Sequence, residues 1–239
     1  VAIIKRVTIK LRQEYMVYNN IQQGIFLERP NRFIAYVEID GKVHKCHVKN
    51  TGRCRELLIP GAIVYLQGSD KPSRKTAYDL ISVYKGERLI NLDSQAPNAV
   101  FGEFIPKLFE DTKLVRREYT YKSSRFDFYL EAGERKILVE VKGVTLEEGG
   151  VVSFPDAPTE RGLKHIRELM DARENGYECY LFFVVQMQGV NYFTPNDATQ
   201  KEFGQALREA RQAGVNLLAY DCIVSLEQIF ISNFVEIRL

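Results

Sequence analysis

The chain has 239 residues, 45% of them apolar and 27% charged, a balance that excludes a disordered or fibrous chain and suits one large or two small folded domains. No apolar run approaches the length of a membrane span, and Lys5 and Arg6 interrupt the apolar start, so a cytoplasmic protein with neither signal peptide nor anchor is expected. The net charge of +2 conceals an asymmetry: residues 1–95 carry 16 Lys and Arg against 9 Asp and Glu, and residues 96–239 carry 17 against 22, so the first half is either a surface for a polyanion or a solvated basic face.

Residues 15–95 read as all-β. Residues 33–40 alternate apolar and polar, Asp40-Gly41 makes a turn, and residues 42–49 return. Residues 50–58 allow one or two helical turns before Pro60-Gly61, and residues 62–67, 76–84 and 88–92 supply further strands. Five short strands with a small insertion midway predict an OB-like barrel over residues 1–95, a frequent nucleic-acid platform. Arg29, Arg32, Lys49, Arg53, Lys71, Arg74 and Lys75 fall near its loops, where they can follow a phosphate backbone. Phe33, Tyr36 and Tyr78 would either stack on bases or fill the barrel, and the alternation favours the core. Cys46, Cys54, Cys179 and Cys222 show no paired spacing, which fits reduced thiols. Cys46, His47 and Cys54, with His44 nearby, lack the CxxC spacing and second ligand pair of a zinc site.

After Pro97 the period becomes helical, with Val100, Phe101, Phe104, Ile105, Leu108 and Phe109 in one stripe. Residues 114–121 are strand-like, and residues 124–142 form a hairpin turning at Ala132-Gly133-Glu134. Alternation assigns Phe126, Phe128 and Leu130 to one face with Ile137, Val139 and Val141, and Asp127, Glu140 and Lys142 to the other. Folding about Gly133 brings Asp127 nearly opposite Glu140. Two carboxylates so close suit a hard divalent cation, Mg²⁺ or Mn²⁺, between them, with Lys142 beside it to orient a nucleophile or a phosphate. The same triad also suits a solvated face with weak ion pairs, and the order of the surrounding elements carries the distinction. A second helix spans residues 157–175 with Asp156 as N-cap and ends at Gly176. Residues 180–185 form a strand buried on both faces, residues 201–213 a third helix, and residues 215–220 another buried strand.

From Pro97 to Gln186 the order is αβββαβ with the acidic pair on the second and third strands, which resembles the PD-(D/E)xK nuclease superfamily. That resemblance implies a metal-dependent phosphodiesterase with Asp127, Glu140 and Lys142 as catalytic residues. It also implies a glutamate from the first helix, here Glu103, as a further metal ligand, with Glu118 on the preceding strand as a second candidate. More specifically, Ser124-Arg-Phe-Asp-Phe128, Glu140-Val-Lys-Gly-Val-Thr-Leu146 and residues 154–165, together with Asn50-Thr-Gly52, Pro60-Gly61, Arg74-Lys-Thr76 and Pro97-Asn98, resemble the sugar fermentation stimulation protein family over nearly the whole chain. The resemblance implies an OB-like domain followed by a nuclease-like α/β domain, 1–95 and 96–239. It also implies a nucleic-acid partner, DNA foremost, and a regulatory part in sugar (maltose) metabolism. Pro158 departs mildly from the family pattern and is compatible with the first turn of a helix.

On the second helix Arg161, Lys164 and His165 share a face and can meet a phosphate or move a proton if that helix flanks the hairpin. Three functions remain open at this stage: a metal-dependent nuclease, a non-catalytic DNA-binding regulator on the same scaffold, and a small-molecule or protein-interaction module using the cleft between the halves. No helix-turn-helix is evident, so sequence-specific reading is not expected.

Overall fold

The computed structural model describes residues 16–50, 52–69 and 73–239; Lys5, Arg6 and Lys71 lie outside them. The first part comprises β1 (Met16–Val17), β2 (Ile21–Asn31), β3 (Ile34–Ile39), β4 (Lys42–Val48), β5 (Ile63–Gly68), β6 (Tyr78–Lys85) and β7 (Arg88–Asn91). Strands β4, β3, β2, β5 and β6 lie side by side in that order, and a parallel pairing of β4 with β6 closes them into a five-stranded barrel, with β7 appended to β6. The strand that makes closure possible is β2. Its first half pairs with β5 and its second half with β3, and register shifts around Phe26 and Glu28 bend it between them. Gly24 lies just before the bend, where a Cβ would come within 2.5 Å of Val37 Cγ1, so glycine lets β2 and β3 approach. The sequence-based count of five strands omitted β2 and included β7.

The second part comprises α1 (Ala96–Leu108), β8 (Thr112–Tyr121), β9 (Ser124–Ala132), β10 (Arg135–Val144), β11 (Leu146–Glu148), β12 (Val151–Phe154), α2 (Glu160–Glu174), β13 (Glu178–Val185), β14 (Tyr192–Pro195), α3 (Lys201–Gln212), β15 (Asn216–Val224) and β16 (Gln228–Phe234). Its main sheet has the order β1-β16-β15-β13-β10-β9-β8, parallel at β10–β13 and β13–β15 and antiparallel elsewhere. Strand β13 explains the layering. Phe182 packs on Phe101 of α1, while its neighbour Phe183 packs on Phe154 and Phe193 on the opposite face, the face covered by α2 and α3. Because β1 pairs with β16, the N-terminal end of the described chain belongs to this sheet and not to the barrel.

Helix α2 starts at Glu160 and not at 157. Thr159 is its N-cap, accepting the Gly162 N–H at 3.0 Å, and Pro158 lies outside the helix. That frees Asp156, which instead accepts the Arg53 N–H at 2.8 Å and ties the barrel to the segment before α2. Two further links cross between the parts. Glu147 on β11, buried, takes Lys85 and Arg88 from the barrel, and the buried Gln186 amide donates to Asn91 and Asp93 between β7 and α1. The barrel core and the α2/α3 side of the sheet form one contiguous apolar cluster.

Candidate metal and nucleic-acid site

The β9–β10 hairpin turns at Gly133, whose φ of +59° suits glycine. Its register runs from Arg135↔Ala132 to Val139↔Phe128. Beyond that pair the pattern changes. Phe128 packs against Phe101 on the α1 face, whereas Phe126 lies edge-on to His165 on the α2 face. The expectation that Phe126 and Phe128 share a face is therefore wrong, and Asp127 is the residue at which β9 turns over. There the Asp127 carboxylate accepts the β10 N–H: Oδ2 takes Val141 N at 2.8 Å, and Oδ1 takes Asn98 Nδ2 from α1 at 2.8 Å.

Glu140 and Lys142 share the face of β10 that looks toward α2. Glu140 is 4% exposed. Its Oε1 accepts Lys142 Nζ at 2.5 Å and His165 Nδ1 at 2.6 Å. Arg161 Nε donates to His165 Nε2 at 3.4 Å, which puts the imidazole proton of that pair on Nδ1, facing Glu140. Glu140 Oε2 is buried with no protein partner. Burial raises the Glu140 carboxyl, but Lys142 and His165 outweigh it and hold it below its ordinary range. Asp127 forms no ion pair, and burial together with the Glu140 charge pushes it up to about 6 against the opposing pull of Val141 N–H, Asn98 and Lys142. One carboxylate is thus compensated, the other is not, and a buried lone pair is left over. This donor set, hard oxygens with surplus negative charge, fits a divalent cation.

The remaining predicted residues scatter. Glu103 accepts the backbone N–H of Met16 and is pushed up to about 7 by burial; it is not among the groups acting on Asp127. Glu118 is exposed and paired with Arg125 at 2.7 Å. Among the described residues no group of three His, Cys, Asp or Glu side chains is gathered as a ready-made metal cage, so Glu103 is not gathered with Asp127 and Glu140. The α1 residue that reaches the site is Asn98, whose Pro97-Asn98 signal was present in the sequence without a role attached. Lys164 donates to Ser123 O at 2.8 Å, away from Glu140.

In the barrel, the Arg29 guanidinium is spent on the carbonyls of Arg32, Asn50, Gly52 and Arg53, Lys49 on Asp93, and Arg74 on Asp79. These three hold loops together. Arg32, Arg53 and Lys75 are exposed. Phe33 is 51% exposed, against the expectation of a core ring, whereas Tyr36 and Tyr78 are half-buried. The four cysteines are free and buried, and His47 pairs with Asp79. Arg32, Arg53 and Arg55 line a cleft of about 910 Å³ between the barrel and the segment before α2. Through Gly52, Phe154 and Asp156 this cleft adjoins a pocket of about 260 Å³ that reaches Asn98 and Val141, the two partners of Asp127. No helix of the described residues is long and apolar enough to cross a membrane.

Comparison with known proteins covers both halves. Residues 27–92 match a family model described as the SfsA N-terminal OB domain, and residues 95–228 match the sugar fermentation stimulation protein RE domain. The chain is 59% identical over 226 residues to a sugar fermentation stimulation protein homolog of Ruminiclostridium cellulolyticum, covering 94% of this chain and 100% of that one. It is 60% identical over 225 residues to the homolog of Desulfitobacterium hafniense, covering 94% and 99%. The solved structure of Pyrococcus furiosus SfsA in complex with Ca²⁺ superposes with a TM-score of 0.85 at 28% identity, over 94% of this chain and 99% of that one. An OB barrel joined to a mixed-sheet α/β domain, matched by both family models and by relatives along nearly its full length, makes this chain a member of the sugar fermentation stimulation protein family.

Proposed function

We propose that the protein binds nucleic acid, DNA foremost, and hydrolyses its phosphodiester bonds with a divalent cation, Mg²⁺ or Mn²⁺, held by Asp127 and Glu140. The observation that carries the reading is the asymmetry of the buried pair: Glu140 has an unpartnered Oε2, and Asp127 has no cation of its own. The Ca²⁺ in the Pyrococcus furiosus relative supports a divalent-cation site in this fold. When bound, the cation would act as a Lewis acid toward a phosphoryl oxygen and favour ionisation of water.

The protein's own groups supply the rest. Lys142, its side chain 15% exposed and its Nζ 2.5 Å from Glu140, is a cation at the carboxylates where charge would build on phosphorus. His165, fixed between Arg161 and Glu140, holds the Glu140 carboxylate in one orientation. Asn98 and the Val141 N–H fix both oxygens of Asp127. Arg32, Arg53 and Arg55 on the adjoining cleft give a polyanionic strand a path to the site.

The test is a calorimetric Mn²⁺ titration of the native chain, Asp127→Ala and Glu140→Ala, followed in the same buffer by incubation with labelled single- and double-stranded DNA. Binding lost in both variants together with Mn²⁺-dependent cleavage by the native chain is the expected result. No Mn²⁺ binding, with DNA affinity unchanged in either variant, overturns the catalytic reading and leaves a DNA-binding regulator.

A further inference from the structure

The 260 Å³ pocket between the barrel and the α/β domain is smaller than the 300–1,000 Å³ usual for drug-sized ligands. It is too confined for a duplex and roomy enough for one planar heterocycle. Its walls are flat and apolar at Pro97 and at Phe154, whose ring is backed by Phe183 and Phe203. Two glycines let its walls pack closely. A Cβ at Gly143 would sit 2.5 Å from Gln186 Oε1 and 2.7 Å from Pro97 Cγ, and one at Gly52 would sit 2.5 Å from Asp156 Oδ2.

The polar lining has a definite sense, because the bonds already made engage the nitrogen end of Asn98 and Gln186 and one oxygen of Asp156. Asn98 spends its Nδ2 on Asp127, Gln186 its Nε2 on Asn91 and Asp93, and Asp156 its Oδ2 on the Arg53 N–H. Asn98 Oδ1, Gln186 Oε1 and Asp156 Oδ1 are left as acceptors. Asn50, whose Oδ1 takes the Gly52 N–H, leaves its amide protons as a donor. Three fixed acceptors, one of them a carboxylate, outnumber the fixed donors, the Asn50 amide and the second Asn98 N–H, while the Ser153 and Thr145 hydroxyls serve either way; the excess of acceptors matches a ring that presents an exocyclic amine. It mismatches thymine or uracil, whose edges offer chiefly carbonyl oxygens. The pocket is also one residue from the carboxylates, since Asn98 and Val141 both line it and both hold Asp127.

We infer that this pocket receives a single unstacked nucleobase bearing an exocyclic amine, adenine, guanine or cytosine, from the nucleotide beside the phosphate held at Asp127 and Glu140. The inference rests on the nucleic-acid reading above and adds a substrate class to it: strands with an extruded, unpaired or terminal base. Extrusion is cheapest where the base has no partner, so selectivity arises before any base edge is read. The carboxylate and two amide oxygens then favour an amine over a carbonyl.

The experiment is fluorescence anisotropy with a labelled duplex that is fully paired or carries one bulged A, G, C or T, in Ca²⁺ so that equilibrium binding is read without relying on turnover. Native protein is expected to bind bulged A, G and C on the order of ten-fold more tightly than bulged T or the paired duplex. Ser153→Leu, which fills the pocket from β12, is expected to remove the preference while paired-duplex affinity and the thermal midpoint stay unchanged. Asp156→Asn keeps an oxygen for Arg53 and is expected to narrow the gap between amine-bearing bases and T. Equal affinity of the native chain for all five duplexes overturns the inference, as does a preference that survives Ser153→Leu. Mn²⁺-dependent cleavage of the paired duplex is scored separately. Its absence with the bulge preference intact counts against the nuclease reading alone, and absence of any DNA binding overturns both.

Discussion

Asp127→Asn separates the cost of the site from its use. Burial and the Glu140 charge raise the Asp127 carboxyl from 3.8 to about 6. At about 1.4 kcal/mol per tenfold change in proton affinity, the ionised form is disfavoured in the folded state by about 3 kcal/mol. The sign follows from linkage. The folded state holds this proton more tightly than the unfolded chain, so the penalty is absent below pH 3.8, grows as pH rises, and is complete above about 6. Asparagine keeps the shape. Its amide oxygen can take the Val141 N–H, and its nitrogen can meet Asn98 once that amide rotates. The variant is therefore expected to gain about 2–3 kcal/mol in urea unfolding at pH 7.5 in EDTA, to gain almost nothing at pH 4, and to lose Mn²⁺ binding by calorimetry. A variant less stable than the native chain at pH 7.5 in EDTA would refute the claim that this carboxylate is held at a cost, and with it the reason for expecting a cation there.

Glu140→Gln acts in the opposite direction, because it leaves Lys142 buried without its counter-charge; a loss of about 3–5 kcal/mol in urea unfolding is expected at pH 7.5. Asn98→Ala removes a donor to Asp127 without touching the other carboxylate, and Mn²⁺ affinity should fall about 10–100-fold with little change in DNA binding measured in EDTA. Arg29 and Arg53 should part company. Arg29→Ala strands four carbonyls and is expected to lower the unfolding free energy by about 2–4 kcal/mol, whereas Arg53→Ala should leave stability alone and reduce the salt slope of DNA binding by about one. Glu147 is buried, but Lys85, the Gly150 N–H and Arg88 outweigh that burial and hold it below its ordinary range, so it stabilises the interface above about pH 4.5. That contribution is lost as pH falls through the lowered value, and Glu147→Gln should flatten the acid limb of the stability profile in this window.

Much of the fold was legible because period and order survive tertiary context. The two-residue alternation of β3, β4 and β10, the apolar stripe of α1 and the uninterrupted run of β13 each bury the faces that their spacing assigns. Strand β2 was illegible for the reason it matters. Gly24 and Pro30 break its pattern, and the same features let it bend between two partners. Strands β1 and β16 make up one edge of the main sheet, and a two-residue strand such as β1 offers no period to read.

The site shows a different limit. Spacing identified Asp127, Glu140 and Lys142 as neighbours, but strict alternation implied one flat polar face, and the proposed site depends on that alternation failing. Phe126 and Phe128 anchor to opposite sides of the sheet, so β9 must turn over at Asp127, and its carboxylate takes the Val141 N–H there. A regular ladder would leave Asp127 in step with Tyr129, on the α2 face with Glu140 and Lys142. The turnover encloses both carboxylates with one cation and one imidazole for two negative charges. The same choice of anchor decides the helix residue. Glu103 is drawn toward Met16 on the sheet edge, which leaves Asn98, a neutral donor, to meet Asp127. A third carboxylate at that position would add repulsion. With an amide there, the uncompensated charge is confined to Asp127.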